Sequence, residues 1–304
     1  MALLYYWRGD NYRRDLDHGA AYHLNQASAA LHEIQLGESL WAFTRRTDGA
    51  YALAAELVAK AKTRNPPGYR YGPYRLWGDL ERSRYFQVCD QPDITSLIRG
   101  LSISAKGDRL GRAFQGHAAV RRITTGDDSV LRSFASALPL EPRSRLMPEE
   151  QLEANLQSGN ELAATALIDR EGRNLSEERR RYLMTRAVKR SRSLVEELRE
   201  LYAGRCQLCR WAPRSIYQTD LCEGHHVRWL GRGGEDSLGN LVLLCPNHHR
   251  AVHRLDAPFD WKEMGFVFAE SVQRLELVVH ELAAAEWVEA IGSAPGESST
   301  GLAK

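Results

Sequence analysis

Apolar and polar positions alternate along LWAFTRR (40–46) and YALAAELVAKAK (51–62), and the turn signal Thr47-Asp48-Gly49 separates them. Period-two alternation around such a turn predicts a β-hairpin. The next stretch, TRNPPGYRYGPYRLWGD (63–79), mixes Pro, Gly, Arg and aromatic residues too densely for a core helix. It predicts an exposed loop leading into a strand. PDITSLIRGLSI (92–103) fits one short helix, whereas AFQGHAAVRRIT (113–124) fits a strand or a helix equally. From 137, three prolines within ALPLEPRSRLMP break any long element before an acidic, helix-favouring run. Ser176 followed by Glu177 and Glu178 has the form of a helix start, and the apolar pattern Tyr182, Val188, Val195, Leu198, Leu201 carries one long helix to a stop at Gly204. SVQRLELVVHELAAAEWVEAI (271–291) reads as a further helix, and the small, polar tail 292–304 reads as disordered.

The expected organisation is therefore α+β: a β-rich unit at 1–135, a helical linker at 136–175, a basic helix with a second compact unit at 176–291, and the tail. Two globular parts agree with 304 residues that are 43% hydrophobic. No apolar run approaches the ~18 residues of a membrane span, and MALLYYWRGDNYRRD lacks the apolar segment of a secretory signal, so the expected location is cytoplasmic, with no membrane partner. The net charge of +2 says little, but from Arg173 to Arg210 eleven Lys/Arg face five Glu, a bias that attracts polyanions.

Chemistry concentrates between Cys222 and His253, which hold five of the ten histidines and two of the five cysteines. In a reducing compartment an odd set of cysteines beside histidines points to metal ligation rather than disulfides. CQLC (206–209) and CPNH (245–248) each place two ligands three positions apart, the spacing with which knuckle turns aim soft ligands at one zinc. Cys206, Cys209, Cys245 and His248 form the expected structural Zn2+ site, with Cys222 as a spare thiol able to displace one of them, His248 first. The second feature is His225-His226, Asn240, His249 and His253. On a helix His249 and His253 share a face, while adjacent histidines on an extended segment point opposite ways. One of that pair can bind a cation while the other takes a proton, the division of labour that phosphodiester hydrolysis needs. Arg228, Arg232, Arg250 and Arg254 flank the cluster and suit phosphate oxygens.

The order CQLC, GHHVRWL, GGEDSLGNLVLLCPNHHRAVH resembles the HNH endonucleases, whose ββα-metal core holds one divalent cation between a hairpin and a helix. The resemblance covers about 206–253 and implies an endonuclease cutting double-stranded DNA. It makes His225 and His249 ligands of a catalytic cation (Mg2+ or similar), His226 the general base, and Asn240 the residue that orients His226 or its loop. Many relatives carry Cys at the position of His248, so either His248 closes the zinc site or His253 joins the catalytic cation. With one site per chain, a double-strand break implies a homodimer or sequential nicking.

Leu4-Tyr5-Tyr6-Trp7 as an opening strand, Gly37-Glu38-Ser39-Leu40-Trp41 as a strand start and 53–62 as its partner are similar to the PUA-like barrels, including EVE and SRA-type domains. That resemblance implies a modification-dependent restriction enzyme whose N-terminal unit flips a modified cytosine into an aromatic pocket. Trp7, Trp41, Phe43, Tyr74 and Trp77 are the stacking candidates, with Asp79 to bond the base edge. Two other readings stay open: a non-catalytic zinc module that binds nucleic acid, and an HNH nuclease directed at phosphorothioate DNA or RNA.

Overall fold

The computed structural model describes residues 2–103, 110–115, 119–269 and 271–283. The chain opens with β1 (Ala2–Trp7), α1 (Gly9–His18), β2 (His23–Gln26) and α2 (Ala30–Glu33). The alternating segments then form β3 (Ser39–Arg45) and β4 (Tyr51–Arg64), an antiparallel hairpin paired from Ser39 with Val58 to Arg45 with Tyr51, with a register shift between Ala42 and Phe43. β5 (Tyr74–Gly78) follows the Pro/Gly loop, and β6 (Arg84–Tyr85), α3 (Thr95–Gly100), β7 (Val120–Ile123) and α4 (Thr125–Ala135) complete the first half. The ambiguous stretch at 113–124 thus ends as a strand, because Val120–Ile123 finds β1 as a partner.

These strands make one curled half-barrel sheet in the order β2-β5-β4-β3-β1-β7, with β6 on β4. Only β1 and β3 run parallel. The sequence leads one to expect a barrel, whereas among the described residues the sheet is an open path ending at β2 and β7. Both of its faces are covered. Leu3, Leu16, Leu31, Leu40 and Leu57 pack on one side, and Leu4, Trp41, Phe43, Leu53 and Leu131 on the other. Burial on both faces explains why nine consecutive residues of β4, Tyr51 to Ala59, are buried although the sequence alternates.

The stretch at 136–175 carries α5 (Glu149–Gln157) and α6 (Glu161–Glu171). Leu152, Leu156, Leu167 and Ile168 share a core with Leu183, Ala187, Val188 and Leu230, so these helices pack on the next segment instead of tethering it. The basic helix begins where its cap predicts, with Ser176 Oγ accepting from the Arg179 N–H at 3.1 Å. It runs as α7 (Glu177–Tyr182), a π turn at Leu183–Ala187 and α8 (Val188–Leu201). Gly204 has φ +69°, and a Cβ there would overlap the Asp220 carboxylate, so the stop needs glycine twice over.

α9 (Arg214–Tyr217) leads to the antiparallel pair β8 (Glu223–His226) and β9 (Leu241–Leu244), then α10 (Pro246–Leu255): a ββα unit. β10 (Phe259–Asp260), β11 (Gly265–Phe268) and β12 (Ser271–Arg274) follow as a small sheet. The helix expected at 271–291 is not formed where the chain is described, and 284–291 lies outside the described residues along with the tail. Pairing overrides the helical pattern: Ser271–Arg274 is held by β11, and beyond it the Glu276, Val279 and Ala283 N–H groups donate to Gln207 O, Tyr202 Oη and Gly239 O. The two halves touch. Arg64 N donates to Asp260 Oδ2 at 3.0 Å, Trp261 N returns a bond to Arg64 O at 3.0 Å, and Lys60 pairs with Asp256 at 3.2 Å.

Candidate active site and metal centres

Two ligand clusters surround the β8–β9 hairpin and α10. In the first, Cys206, Cys209, Cys245 and His248 bring one donor atom each to within 4.8 Å of one another. Cys245 is the N-cap of α10 and Pro246 pre-sets the first helical turn, which brings His248 back beside Cys245. His248 Nδ1 lies 3.2 Å from Cys245 Sγ and 3.5 Å from Cys206 Sγ. A hydrogen bond with Cys245, then burial, pushes the Cys206 thiol up to about 12. Three sulfurs and one imidazole so placed fit the soft tetrahedral set that zinc takes. Cys222 stands apart, buried in the core with Leu194, Leu198 and Leu243.

In the second cluster, β8 aims His225 and His226 to opposite sides, and α10 stacks His249 and His253 on one buried face. The His225 ring centroid is 5.5 Å from that of His249 and 4.7 Å from that of His253. A residue the sequence reading missed sits among them. Glu153 of α5 is wholly buried, and its Oε2 lies 3.3 Å from His225 Nδ1, 2.9 Å from His249 Nε2 and 2.8 Å from His253 Nε2. Its Oε1 accepts from the His226 N–H at 2.8 Å and lies 2.8 Å from His226 Nδ1. On the far side His226 Nε2 meets Asp236 Oδ1 at 3.0 Å, and Ser191 Oγ donates to that same oxygen at 2.6 Å.

The charges follow from this packing. Burial would strip the proton from His226, but hydrogen bonds and attraction from Asp236 and Glu153 outweigh it and push the group up to about 10. His249 goes up to about 9 in the same way, burial being outweighed by Glu153 and Glu223, the latter 2.8 Å from its Nδ1. In His225 burial prevails and lowers it to about 3. Burial raises Glu153, yet the surrounding imidazoles hold its carboxyl well below the usual range. The set Glu153, His225, His249 and His253 fits a divalent cation: four buried donors within 4.8 Å, with His225 Nε2 and His253 Nδ1 lacking hydrogen-bond partners among the described residues.

Asn240, just before β9, spends its whole amide on the loop that follows His226. Oδ1 accepts from Arg228 N at 2.8 Å, while Nδ2 donates to Arg228 O at 2.8 Å and Glu235 O at 2.7 Å. Buried Arg179 donates to Leu230 O and Gly234 O, and buried Glu149 accepts from Leu230 N and Gly231 N, so the glycine loop is fixed from both sides. A Cβ at Gly234 would overlap the Arg228 carbonyl. Of the flanking arginines, Arg250 and Arg254 are exposed on α10, Arg228 is half-buried, and Arg232 is buried against Asp256 with its guanidinium 3.9 Å over Trp229.

The six base-pocket candidates do not converge. Trp41 and Phe43 are fully buried on one face of the sheet, Trp41 Nε1 donating to Asp128 at 2.7 Å, while Trp7 and Tyr74 pack on the other. Asp79 accepts from Glu81 N and Arg82 N in its own turn. Trp77 donates to Thr63 Oγ1 at 2.8 Å and helps line a small crevice with Val227, Arg228, Phe259 and Trp261, facing the second half of the chain. Trp77→Ala is therefore expected to cost about 3–5 kcal/mol of stability, as for a buried aromatic. Chemical denaturation reads it; an unchanged midpoint would return Trp77 to the ligand side.

Glu149 and Glu153 carried one readable signal. With Leu152 and Leu156 they occupy the buried stripe of α5, and two acids among its four residues need partners. Asp236 and Arg179 offered none.

Residues 206–255 match the HNH endonuclease family and form an HNH endonuclease domain. The match takes in both knuckles, the β8–β9 hairpin and α10. No curated protein matches the chain. Among solved structures it is similar to the Type IV phosphorothioation-dependent restriction endonuclease ScoMcrA, at 16% identity over 82% of this chain and 50% of that one, with a TM-score of 0.20. The chain thus spans half the length of that protein, and a likeness at that score carries no argument about fold or substrate.

Proposed function

We propose that this protein is a metal-dependent DNA endonuclease of the restriction type, in which the HNH domain cuts and the N-terminal half reads a modified cytosine. The observation that carries the cutting reading is the buried convergence of His225, His226, His249 and His253 inside the matched segment. His225, His249 and His253 would hold a divalent cation, which when bound would supply charge relief at the scissile phosphate and the leaving oxygen. His226 takes the proton of the attacking water. To do so it must be neutral, which requires the charges of both Asp236 and Glu153 beside it to be compensated. Asn240 keeps the 228–235 loop in place behind it, and exposed Arg250 and Arg254 meet the DNA backbone. A catalytically silent zinc module would have no use for a base clamped this way.

Reading is supported by a cleft of about 1310 Å³ between β1, the residues after β2 and those before β7, lined by Tyr5, Tyr6, Arg8, Arg45, Arg46 and Arg112 among others. Aromatic rings with guanidinium groups suit a base and its phosphate. Arg112→Ala is expected to weaken DNA binding and lower the salt dependence, log K against log[salt], by about one unit. An unchanged slope would remove the cleft from the DNA path.

The function is tested by cleavage of matched unmodified, methylated, hydroxymethylated and phosphorothioated DNA, with and without divalent cation. Metal-dependent cleavage restricted to modified cytosine is expected. Preference for the phosphorothioate redirects the reader, and no cleavage of any substrate with any cation leaves the binding module.

A further inference from the structure

We propose that Glu153 is itself a ligand of the catalytic cation, so that the centre is a three-histidine, one-carboxylate set assembled from α5, β8 and α10. This rests on the metal-dependent reading above. It extends the site beyond residues 206–255, to a helix the family match does not include.

Hydrogen bonding alone leaves the cluster unsatisfied. His225 Nδ1 and His253 Nε2 are 3.2 Å apart, and both face the same carboxylate oxygen. If both nitrogens carry protons the two N–H groups crowd each other; if either does not, its lone pair faces Glu153 Oε2. Shifting a proton to the far nitrogen gives no relief, because His225 Nε2 and His253 Nδ1 are buried with no hydrogen-bond partner among the described residues. A cation accepts the four lone pairs that meet there at once and removes the conflict around Glu153 Oε2, with the imidazole protons on the far nitrogens.

Glu153 is also held rigidly. Leu152 and Leu156 on either side of it are buried in the α5–α6 core, so the carboxylate is delivered by a packed helix and is wholly screened from solvent. Two consequences follow. The HNH segment without α5 lacks a ligand, which makes docking of that helix part of building the metal centre. The donor set of three imidazoles and one carboxylate favours Zn2+, Ni2+, Co2+ or Mn2+ over Mg2+, which prefers oxygen ligands and retained waters.

The test uses the full chain, stripped of metal, given one equivalent of Zn2+ for the cysteine cluster, then titrated with Co2+. Wild-type protein is expected to develop visible d–d bands without the near-ultraviolet thiolate charge transfer that marks cobalt on cysteine. Glu153→Gln keeps the size of the side chain and an oxygen for the His226 N–H. It is expected to weaken Co2+ binding by about tenfold or more and to move the bands. Millimolar Mg2+ should fail to displace Co2+ from wild type. A folded Glu153→Gln protein with wild-type Co2+ affinity and spectrum overturns the proposal. Should that variant not fold, Glu153→Asp, one methylene shorter, is expected to bind more weakly with shifted bands; wild-type affinity and spectrum there overturn it equally. DNA cleavage is scored separately: Glu153-dependent cobalt binding without cleavage of any DNA removes the endonuclease reading and leaves the ligand assignment standing.

Discussion

Replacing His226 by asparagine is expected to lower DNA cleavage by about 10²–10⁴-fold, the range for a lost general base, with DNA binding retained. The choice of asparagine matters because of where the ring sits. His226 is 2% exposed and bridges Glu153 and Asp236 at 2.8 and 3.0 Å. Alanine would leave two buried carboxylates facing an empty space, and breaking a buried ion pair from one side costs about 3–5 kcal/mol. A loss of activity in the alanine variant could then come from a damaged fold. Asparagine keeps a donor for one carboxylate and cannot take a proton at any working pH. Single-turnover cleavage with saturating protein isolates the chemical step, and circular dichroism checks the fold. Activity within a few-fold of wild type would give the proton to another group.

The ligand clusters were legible because their information is local. Cys206 with Cys209, Cys245 with His248, and His249 with His253 are pairs three or four positions apart, so turn and helix geometry alone puts them together. The same holds for the 40–62 hairpin, where alternation and a turn signal sit side by side. What joins the site to the rest of the chain is not local. Glu153 is 72 residues from His225, and Arg179 is 51 from Leu230 and 55 from Gly234. No spacing rule links such positions; only the packing of α5 and α7 on the hairpin does. The missed strand at 271–274 has the same origin, since its helical periodicity is real but β11 offers an edge that the helix would leave unpaired. The aromatic residues misled for a different reason. In a sheet covered on both faces, Trp and Phe fill the core, and composition does not separate a ring that stacks on a base from one that stacks on a neighbour.

Cys209→Ser is expected to release one zinc per chain and to lower the melting temperature about as far as Cys206→Ser or Cys245→Ser does. Packing alone predicts the opposite ranking: Cys206 is 0% and Cys245 6% exposed, whereas Cys209 is exposed and contributes little to any core. If the cluster held no metal, serine at 209 would fall within about 0.5 kcal/mol of wild type, as surface changes do. With metal, each ligand counts through the shared ion, whose binding is worth about 10–16 kcal/mol in small zinc domains and is coupled to folding. Part of that range is lost here, because Leu198, Leu208, Leu243, Val252 and Phe266 give this half an apolar core of its own. A fall of several kcal/mol, or more than about 10 °C, is the expected scale for a unit of this size. Cys222→Ser supplies the control, being fully buried yet outside the ligand group; it should lose stability and keep its zinc. Metal content by mass spectrometry and thermal melts on the four serine variants decide the matter. A Cys209→Ser protein that melts like wild type, with no zinc found in either, would show that the cysteines are a packed cluster of thiols and that the fold stands without the ion; one that keeps the wild-type melt and a full zinc would take Cys209 out of the ligand set.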